Sequence, residues 1–584
     1  MAYRPPTKDL AFTLAHVAGL DRLESYVEGL DAAMVEAVLE AAGELASGVL
    51  EPLNRSGDVQ GSQLRNGRVV SPDGFPAAYR AFAEGGWNSL AADPEYGGQG
   101  LPKALELAVF EMVNAANMAF ALCPTLTQAA IEALQAHGTD RQKAMYLPKL
   151  ISGEWTGTMH LTEPQAGSDL GAIRTVAAPD GDGGWRLNGQ KIFITWGDHD
   201  LTDNIVHLVL ARTTGAPDGV RGLSLFVASS RLVGEDGSLG EANTVKAAGL
   251  EHKLGIHASP TCVMVYEDAR AELVGELNQG LPHMFTMMNA ARVAVGAQGV
   301  GVAEGAYQHA LAYARERRQG RSAWSEDRSA LIFDHPDVRR MLVLMKAKIE
   351  AARAICLSAG VAADLSRLAP DEAERNAAAL RAELLTPIAK AWSTDVGVEV
   401  ASMGVQIHGG MGFIEETGAA QYYRDARIAP IYEGTNGIQA IDLVGRKLTM
   451  AGGGAVRDLL AEIKSIAPDL AAAEDLAAVG ARLTAGVQAV ERASVWMAEH
   501  AGPEAQAGAV AYLKLFGDVL GGFMLAKGAL AAVRQLQGGE ASSWLTSKVG
   551  LAQVFAEQVL TGAPGLAEAA VQGAAVVRAV DLDG

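Results

Sequence analysis

The chain has 584 residues, 49% of them hydrophobic, a formal charge of −20 and three cysteines. That length exceeds one ordinary core and predicts three or four domains, and the acidic balance argues against a general nucleic-acid binder, whose phosphate contacts need basic surface. Cys123, Cys262 and Cys356 lie far apart without His-rich neighbours and read as reduced, packed thiols, neither a disulfide framework nor a metal site.

The opening MAYRPPTKDLAF has no apolar signal core and carries an acid early, so neither secretion nor organelle import is expected. From Asp9 to about Lys149 the pattern is helical. Leu30, Met34, Val38 and Ala41 recur at spacings of three and four, as do Leu105, Val109, Met112 and Val113. A polar loop, Asn54 to Asp73, is expected between these helices, and Phe75-Pro76-Ala77 then opens another. Met112 to Ala130 comes nearest to a membrane span, but Asn114, Asn117, Pro124 and Gln128 interrupt it. A soluble cytoplasmic protein without membrane insertion is the expectation. Tyr96-Gly97-Gly98-Gln99-Gly100-Leu101-Pro102 has the glycines of a dinucleotide fingerprint, yet no strand precedes it and Pro102 breaks the helix that such a fingerprint would open, so it reads as a turn between helices.

The texture changes at Glu154. From Trp155 to about Gly275 the apolar runs are short and rich in β-formers: Trp185 to Gly189, Lys191 to Thr195, Ile205 to Leu210, Ser224 to Val227, and Cys262 to Tyr266. Pro179 to Gly184, Asn188-Gly189 and Pro217-Asp218-Gly219 supply turn chemistry between them, the pattern of a small all-β domain. At its start, Thr158 to Asp169 carries hydroxyls at Thr162 and Ser168 and a bare backbone at Gly167, all able to donate to a planar, acceptor-rich ring. Taken alone, the loop reads as an Asx or Ser turn with no ligand.

Helical periodicity resumes near Leu281 and runs to Arg321. Helices from about 336 to 366 and 373 to 403 come next. Ala451-Gly452-Gly453-Gly454 then marks a linker, beyond which an Ala- and Leu-rich segment predicts three to five tightly packed helices without chemistry of their own. The fold class is α+β, with an N-terminal helical domain at 1–157, a middle β domain at 158–278, a second helical domain at 279–450 and an extra helical extension at 451–584.

The chemistry concentrates in Gln406 to Leu448, QIHGGMGFIEETGAAQYYRDARIAPIYEGTNGIQAIDLVGRKL. Glu433 stands in an apolar run with no Lys or Arg inside its own turn. Packed inward, it would have a raised pKa, as a proton-abstracting carboxylate needs. His408-Gly409-Gly410-Met411-Gly412 would let backbone approach a phosphate or a ring closely. A helix start after a glycine-rich turn is the plainer reading of the same residues.

Ile431-Tyr432-Glu433-Gly434-Thr435, with Gln406 to Phe413 and Tyr423 to Ile428 at matching spacing and Thr162-Glu163-Pro164-Gln165-Ala166-Gly167-Ser168-Asp169 upstream, resembles the acyl-CoA dehydrogenase family from about Gly86 to Leu448. The resemblance implies helical, β-barrel or sandwich, and helical domains enclosing FAD, with an acyl-CoA against the flavin. It implies Glu433 as the catalytic base. Leu161, Thr162, Gly167, Ser168, Phe193, Ile194 and Thr195 would meet the cofactor. Arg317 would bind the FAD pyrophosphate, and Thr435 its diphosphate. Gln406, Gly409 and Gly410 would reach FAD from a neighbouring subunit, making the active form a homodimer or larger. Ser168, Asn289, Arg292 and Gly434 would bind substrate, and no metal is implied. Electron-transferring flavoprotein is the implied acceptor.

The chain departs from the family at Phe193, where Trp is common and Trp196 lies just beyond. It departs again at Arg317 to Arg321, after which an extra loop runs through Pro336. Ala291 stands where some members carry the base, which leaves Glu433. An acyl-CoA oxidase would use the same base, and a DNA-associated flavoprotein of this fold would use a C-terminal addition, although residues 451–584 show no basic stripe. The Tyr3 to Asp9 arm together with that addition resembles a bacterial branch acting on 3-(methylthio)propanoyl-CoA and on straight-chain fatty acyl-CoAs.

Overall fold

The computed structural model describes residues 3–582. They divide into two compact units, one formed by Glu44–Leu101 and Ala116–Ala291, the other by Met1–Gly43, Pro102–Ala115 and Arg292–Gly584.

The first unit contains the β domain. Thr261–Val274, Trp185–Thr195, Val176–Pro179, Ile205–Thr213 and Leu223–Ser229 pair in that order, and Leu223–Ser229 pairs back onto Thr261–Val274, closing a ring of five strands. Val245–Leu250 and Thr156–His160 extend it. Closure removes most of the open edge that a free sheet would expose. Ile205–Thr213 shows how the strands are buried. Val209 and Ala211 face a core with Leu187, Phe226 and Met264, and the alternate Val206, Leu208 and Leu210 face Leu134, Leu147 and Trp155. Two covered faces explain why that run reads as continuously apolar.

Inside the ring, Tyr266 Oη lies 2.7 Å from His160 Nδ1, His160 Nε2 2.9 Å from Thr158 Oγ1, Thr158 Oγ1 2.7 Å from His207 Nδ1, and His207 Nε2 3.0 Å from Ser230 Oγ. Burial holds both imidazoles neutral, His207 down to about 3.

Three expectations for this unit are corrected. Asn188-Gly189 is not a turn. Trp185–Thr195 is one strand, and Gly189 lies so close to Thr175 that a Cβ there would sit 2.6 Å from its Oγ1. The supposed polar loop 54–73 holds most of the helix Pro52–Gln60 and a hairpin, Gln63–Arg65 with Arg68–Val70. The hairpin turns on Asn66 and Gly67, both at positive φ as a two-residue Asn-Gly turn requires. Val245–Leu250, poor in β-formers, is a strand that pattern alone did not predict.

The second unit is helical. Pro336–Leu368, Glu372–His408, Pro503–Gln537 and Ser543–Gln558 share one core with Leu470, Val487, Phe516, Phe523 and Phe555. Ala451, Gly452 and Gly453, all at positive φ, turn the chain into five helices of twelve residues or more plus the short Ala467–Ala472, all drawing on that core. Gly517 permits a close approach, because a Cβ there would meet Trp392 Cδ1 at 2.3 Å. Trp392 Nε1 donates to Asp518 at 2.9 Å. In Ala32–Leu45 the buried residues are Val35, Leu39, Ala42 and Gly43, one position off the expected stripe of Met34, Val38 and Ala41.

Two helices, Lys103–His137 and Pro503–Gln537, are long and apolar enough to cross a membrane, where the sequence pattern pointed to none. Their apolar windows are 100% and 83% buried, as in core helices of a folded chain.

Buried charge joins the N-terminal arm to the C-terminal extension. Asp9 accepts from Lys346 at 2.8 Å, Lys548 at 2.8 Å and Trp544 Nε1 at 2.9 Å, and Lys548 also donates to Glu350 at 2.8 Å. Nearby, Arg353 donates to Glu111 at 2.8 Å and Glu304 at 2.9 Å. Removing one member of such a buried set leaves the others uncompensated, at a cost of about 3–5 kcal/mol. Lys548→Met is therefore expected to lower the unfolding temperature clearly, by circular dichroism. A melting curve superimposable on the parent's would show that the network holds nothing.

Candidate active site

Glu433 sits in a short loop closed by the Asn436 N–H donating to the Pro430 carbonyl at 3.0 Å. Glu433 has φ of 55° and Gly434 of 82°, so two successive residues are left-handed. For a glutamate that conformation costs free energy and persists only where its surroundings impose it. The positive φ at Gly434 favours glycine, and a Cβ there would also crowd Gln439 Nε2 at 2.7 Å. Thr435 caps the helix Asn436–Asp442, its Oγ1 accepting from Ile438 N at 3.2 Å.

The surroundings come from distant parts of the chain. Arg292, on the helix Gly280–Glu316, is buried and aims Nε at the Glu433 carbonyl, 3.4 Å away. Tyr432 donates its hydroxyl to Gln298 on the same helix. Asn436 donates to the Ala391 carbonyl at 3.0 Å, Thr394 Oγ1 at 3.0 Å and Asp395 at 2.8 Å, and accepts from Lys390 Nζ at 2.9 Å. Burial pushes Glu433 up to about 7, against the opposing pull of Arg292 and Lys390. Burial pushes Lys390 down to about 8, with Glu433 pulling it up. Gln298, Lys390, Thr394 and Asn436 were not foreseen as site residues. A lone lysine inside the apolar run Leu384 to Trp392 was the available signal.

In the other unit the loop after His160 lies beside the end of Trp185–Thr195. Ile192 N donates to the Thr162 carbonyl at 2.9 Å, and buried Lys191 donates to the Leu161 carbonyl at 3.0 Å and Glu163 at 2.8 Å. Glu163 also accepts from Arg174 N at 2.7 Å and Thr175 Oγ1 at 2.6 Å. Thr162 thereby lies beside the strand end that carries Phe193 and Thr195, all three exposed or half-buried; Leu161 is buried, and Gly167 and Ser168 are exposed further along the loop. Ile194 is different: at 2% exposure its side chain belongs to the barrel core. The two aromatic candidates also separate. Trp196 is 1% exposed and donates Nε1 to the Ala119 carbonyl at 3.1 Å, whereas Phe193 is 58% exposed at φ of 60°.

Asn289 is exposed on the helix that carries Arg292. Arg317 lies just past that helix's end, exposed, with its Nη2 on Gln319 Oε1 at 3.4 Å. Gln406, Gly409 and Gly410 are exposed at the end of Glu372–His408, next to His408, which stacks on Tyr313 at 4.4 Å. Arg317 therefore groups with these residues and not with Thr435. From Arg292 to the end of its helix at Glu316 are 24 residues, about 36 Å at 1.5 Å per residue. Among the described residues no cluster of His, Cys, Asp or Glu could hold a metal ion.

The sequence matches the acyl-CoA dehydrogenase N-terminal domain at 36–154, the middle domain at 158–269, the C-terminal domain at 278–448 and the acetyl-CoA dehydrogenase C-terminal-like domain at 459–581. It is 49% identical over 581 residues to 3-methylmercaptopropionyl-CoA dehydrogenase of Ruegeria pomeroyi, covering 96% of each chain. The chain belongs to the acyl-CoA dehydrogenase family. It is also 32% identical to the broad-specificity linear acyl-CoA dehydrogenase FadE5 of Mycobacterium tuberculosis, over 96% of this chain and 95% of that one. An acyl-CoA dehydrogenase from Bacillus anthracis, solved with FAD, shares the fold with a TM-score of 0.75 at 22% identity, covering 97% of this chain and 93% of that one.

This acyl-CoA dehydrogenase is an FAD-dependent oxidoreductase that converts an acyl-CoA thioester to its trans-2-enoyl-CoA. The residues fit such a cofactor. Within one unit Phe193 offers an exposed ring with Thr162 and Thr195 as donors on neighbouring stretches of the chain, and Ser168 is exposed; in the other unit, taken by itself, Gly409 and Gly410 open onto free space.

Proposed function

We propose that Glu433 is the base and that the substrates are straight-chain acyl-CoAs, 3-(methylthio)propanoyl-CoA among them. One observation carries the assignment of the base: a half-buried carboxylate is held on a left-handed turn near neutral pKa, with two cations opposing its burial. Thioester polarisation acidifies the substrate's α-proton, and Glu433 Oε takes it. The chemistry that bound FAD would supply is an acceptor for the β-hydrogen leaving as hydride. The Glu433 N–H, which has no backbone partner among the described residues, would face the enolate oxygen as it gains charge, and exclusion of water would strengthen that contact. Leu161, Thr162, Gly167, Ser168, Phe193 and Thr195 line the cofactor side, together with the main chain of Ile194. Asn289, Arg292 and Gly434 serve the substrate, with electron-transferring flavoprotein as acceptor.

The Ruegeria relative supports the thioether substrate. A thioether chain resembles an alkyl chain in shape and polarity, and one methylene in an apolar pocket is worth roughly 1–3 kcal/mol, so selectivity between the two is limited. Flavin bleaching with a panel of acyl-CoAs is expected to show turnover of both kinds. A strong preference for 2-methyl-branched or aryl acyl-CoAs would leave only the reaction type standing.

The active form we propose is a homodimer or larger. Arg317, Gln406, Gly409 and Gly410 lie at the far end of the helix from Arg292, beside exposed Met411, Phe413 and Ile414. Those residues fit a second copy's cofactor. Sedimentation is expected to find no monomer among active, FAD-loaded species. A fully active monomer would remove this reading.

Glu433→Gln should keep bound FAD, seen as a yellow protein, and lose on the order of two to four decades in turnover. The base must be ionised, so kcat/KM should fall as pH drops through about 7 and level off above it. Near-native turnover in the variant would refute Glu433 as base.

A further inference from the structure

Lys390 has 0% exposure on the helix Glu372–His408. Its Nζ has three protons to donate, and among the described residues its one hydrogen-bond partner is Asn436 Oδ1, with no carboxylate within salt-bridge distance. Burying a lysine this way is costly, and a methionine of similar length would fill the same space without desolvating a charge. Packing therefore does not account for the residue.

Asn436 stands three residues after Glu433. Its N–H closes the catalytic loop on the Pro430 carbonyl, while its side chain is anchored to Ala391, Thr394 and Asp395. Through Asn436, Lys390 reaches the turn that places Glu433.

Resting on Glu433 as the base, we infer that Lys390 is a positioning residue: it holds the Glu433 turn through Asn436 and places a buried positive charge on the helix that anchors that turn. Charged groups face this cluster from several packed elements: Lys514 and Arg427 act on Asp395, and Lys514 pairs with Asp518 at 3.0 Å. Arg292, from Gly280–Glu316, is a second cation beside the loop. Asp395, on Lys390's own helix, is exposed and bonded to Asn436. Asp442 and Arg446, beyond the loop, pair with each other at 2.8 Å. Tyr432 is occupied by Gln298. Among the described residues Lys390 is thus a buried cation with no carboxylate within salt-bridge distance, and removing it leaves Arg292 to oppose the desolvation of Glu433.

The test is kcat/KM against pH for FAD-loaded enzyme with a straight-chain acyl-CoA. In Lys390→Met the acid limb should move up by about one pH unit, a loss of about tenfold near pH 6, with a far smaller fall on the alkaline plateau. Lys390→Arg should return the limb toward its original position. Thr394→Val, which removes an anchor of Asn436 without touching charge, should lower the plateau and leave the limb in place. If Lys390→Met does not fold, Lys390→Gln, which keeps a donor to Asn436, carries the same expectation. An unmoved limb in the neutral variant with normal FAD content would overturn the role of Lys390. Turnover surviving in Glu433→Gln would instead overturn the base itself, so the two failures are distinguishable.

Discussion

A carboxylate that abstracts a weakly acidic proton must be poorly solvated yet still ionised, and the organisation of the 431–436 loop answers that conflict. Burial alone would hold Glu433 protonated. Arg292 and Lys390 offset part of that burial. The left-handed backbone at Glu433 and Gly434 turns the side chain out of the regular helix pattern on either side, and Asn436 fixes the loop from below. The local free-energy cost of that conformation is carried by a large helical core that does not deform easily.

That core explains the C-terminal extension structurally. It supplies Trp544 and Lys548 to the same buried site that receives Asp9 of the N-terminal arm, and Gly517 lets its longest helix lie against Trp392. Trp392 is two residues from Lys390. The extension therefore braces the helix from which the catalytic loop hangs, a mechanical contribution that needs no chemistry of its own.

Much of this was legible in the residues. The IYEGT and TEPQAGSD stretches, the long helices and the short β-rich runs all appear where expected, because each carries a local signal: a turn, a periodicity or an unusual lone charge. The illegible parts depended on tertiary pairing. Val245–Leu250 is a strand because Thr261–Val274 offers it an edge, not because its residues favour one. Asn188-Gly189 looks like a turn yet passes straight through a strand, since Thr175 leaves room only for glycine. Asn66-Gly67 was a readable hairpin signal masked by its polar neighbours. Trp196 and Phe193, three residues apart, could be told apart only by burial. Lys390 was not foreseen: its partner Asn436 lies on another helix, and only the fold brings the two together.

The separation of Arg292, within one unbroken helix, from Arg317, just past its end, also bears on inheritance. In a dimer whose sites are completed across the subunit boundary, a lesion at Arg317 or Gly409 injures the partner's site while sparing its own, and a lesion at Glu433 does the reverse. Two differently damaged alleles in one cell would then assemble some mixed dimers with both lesions in a single site and the other site whole. Genetic complementation between two null alleles of the same gene would then have its origin in the length of a helix.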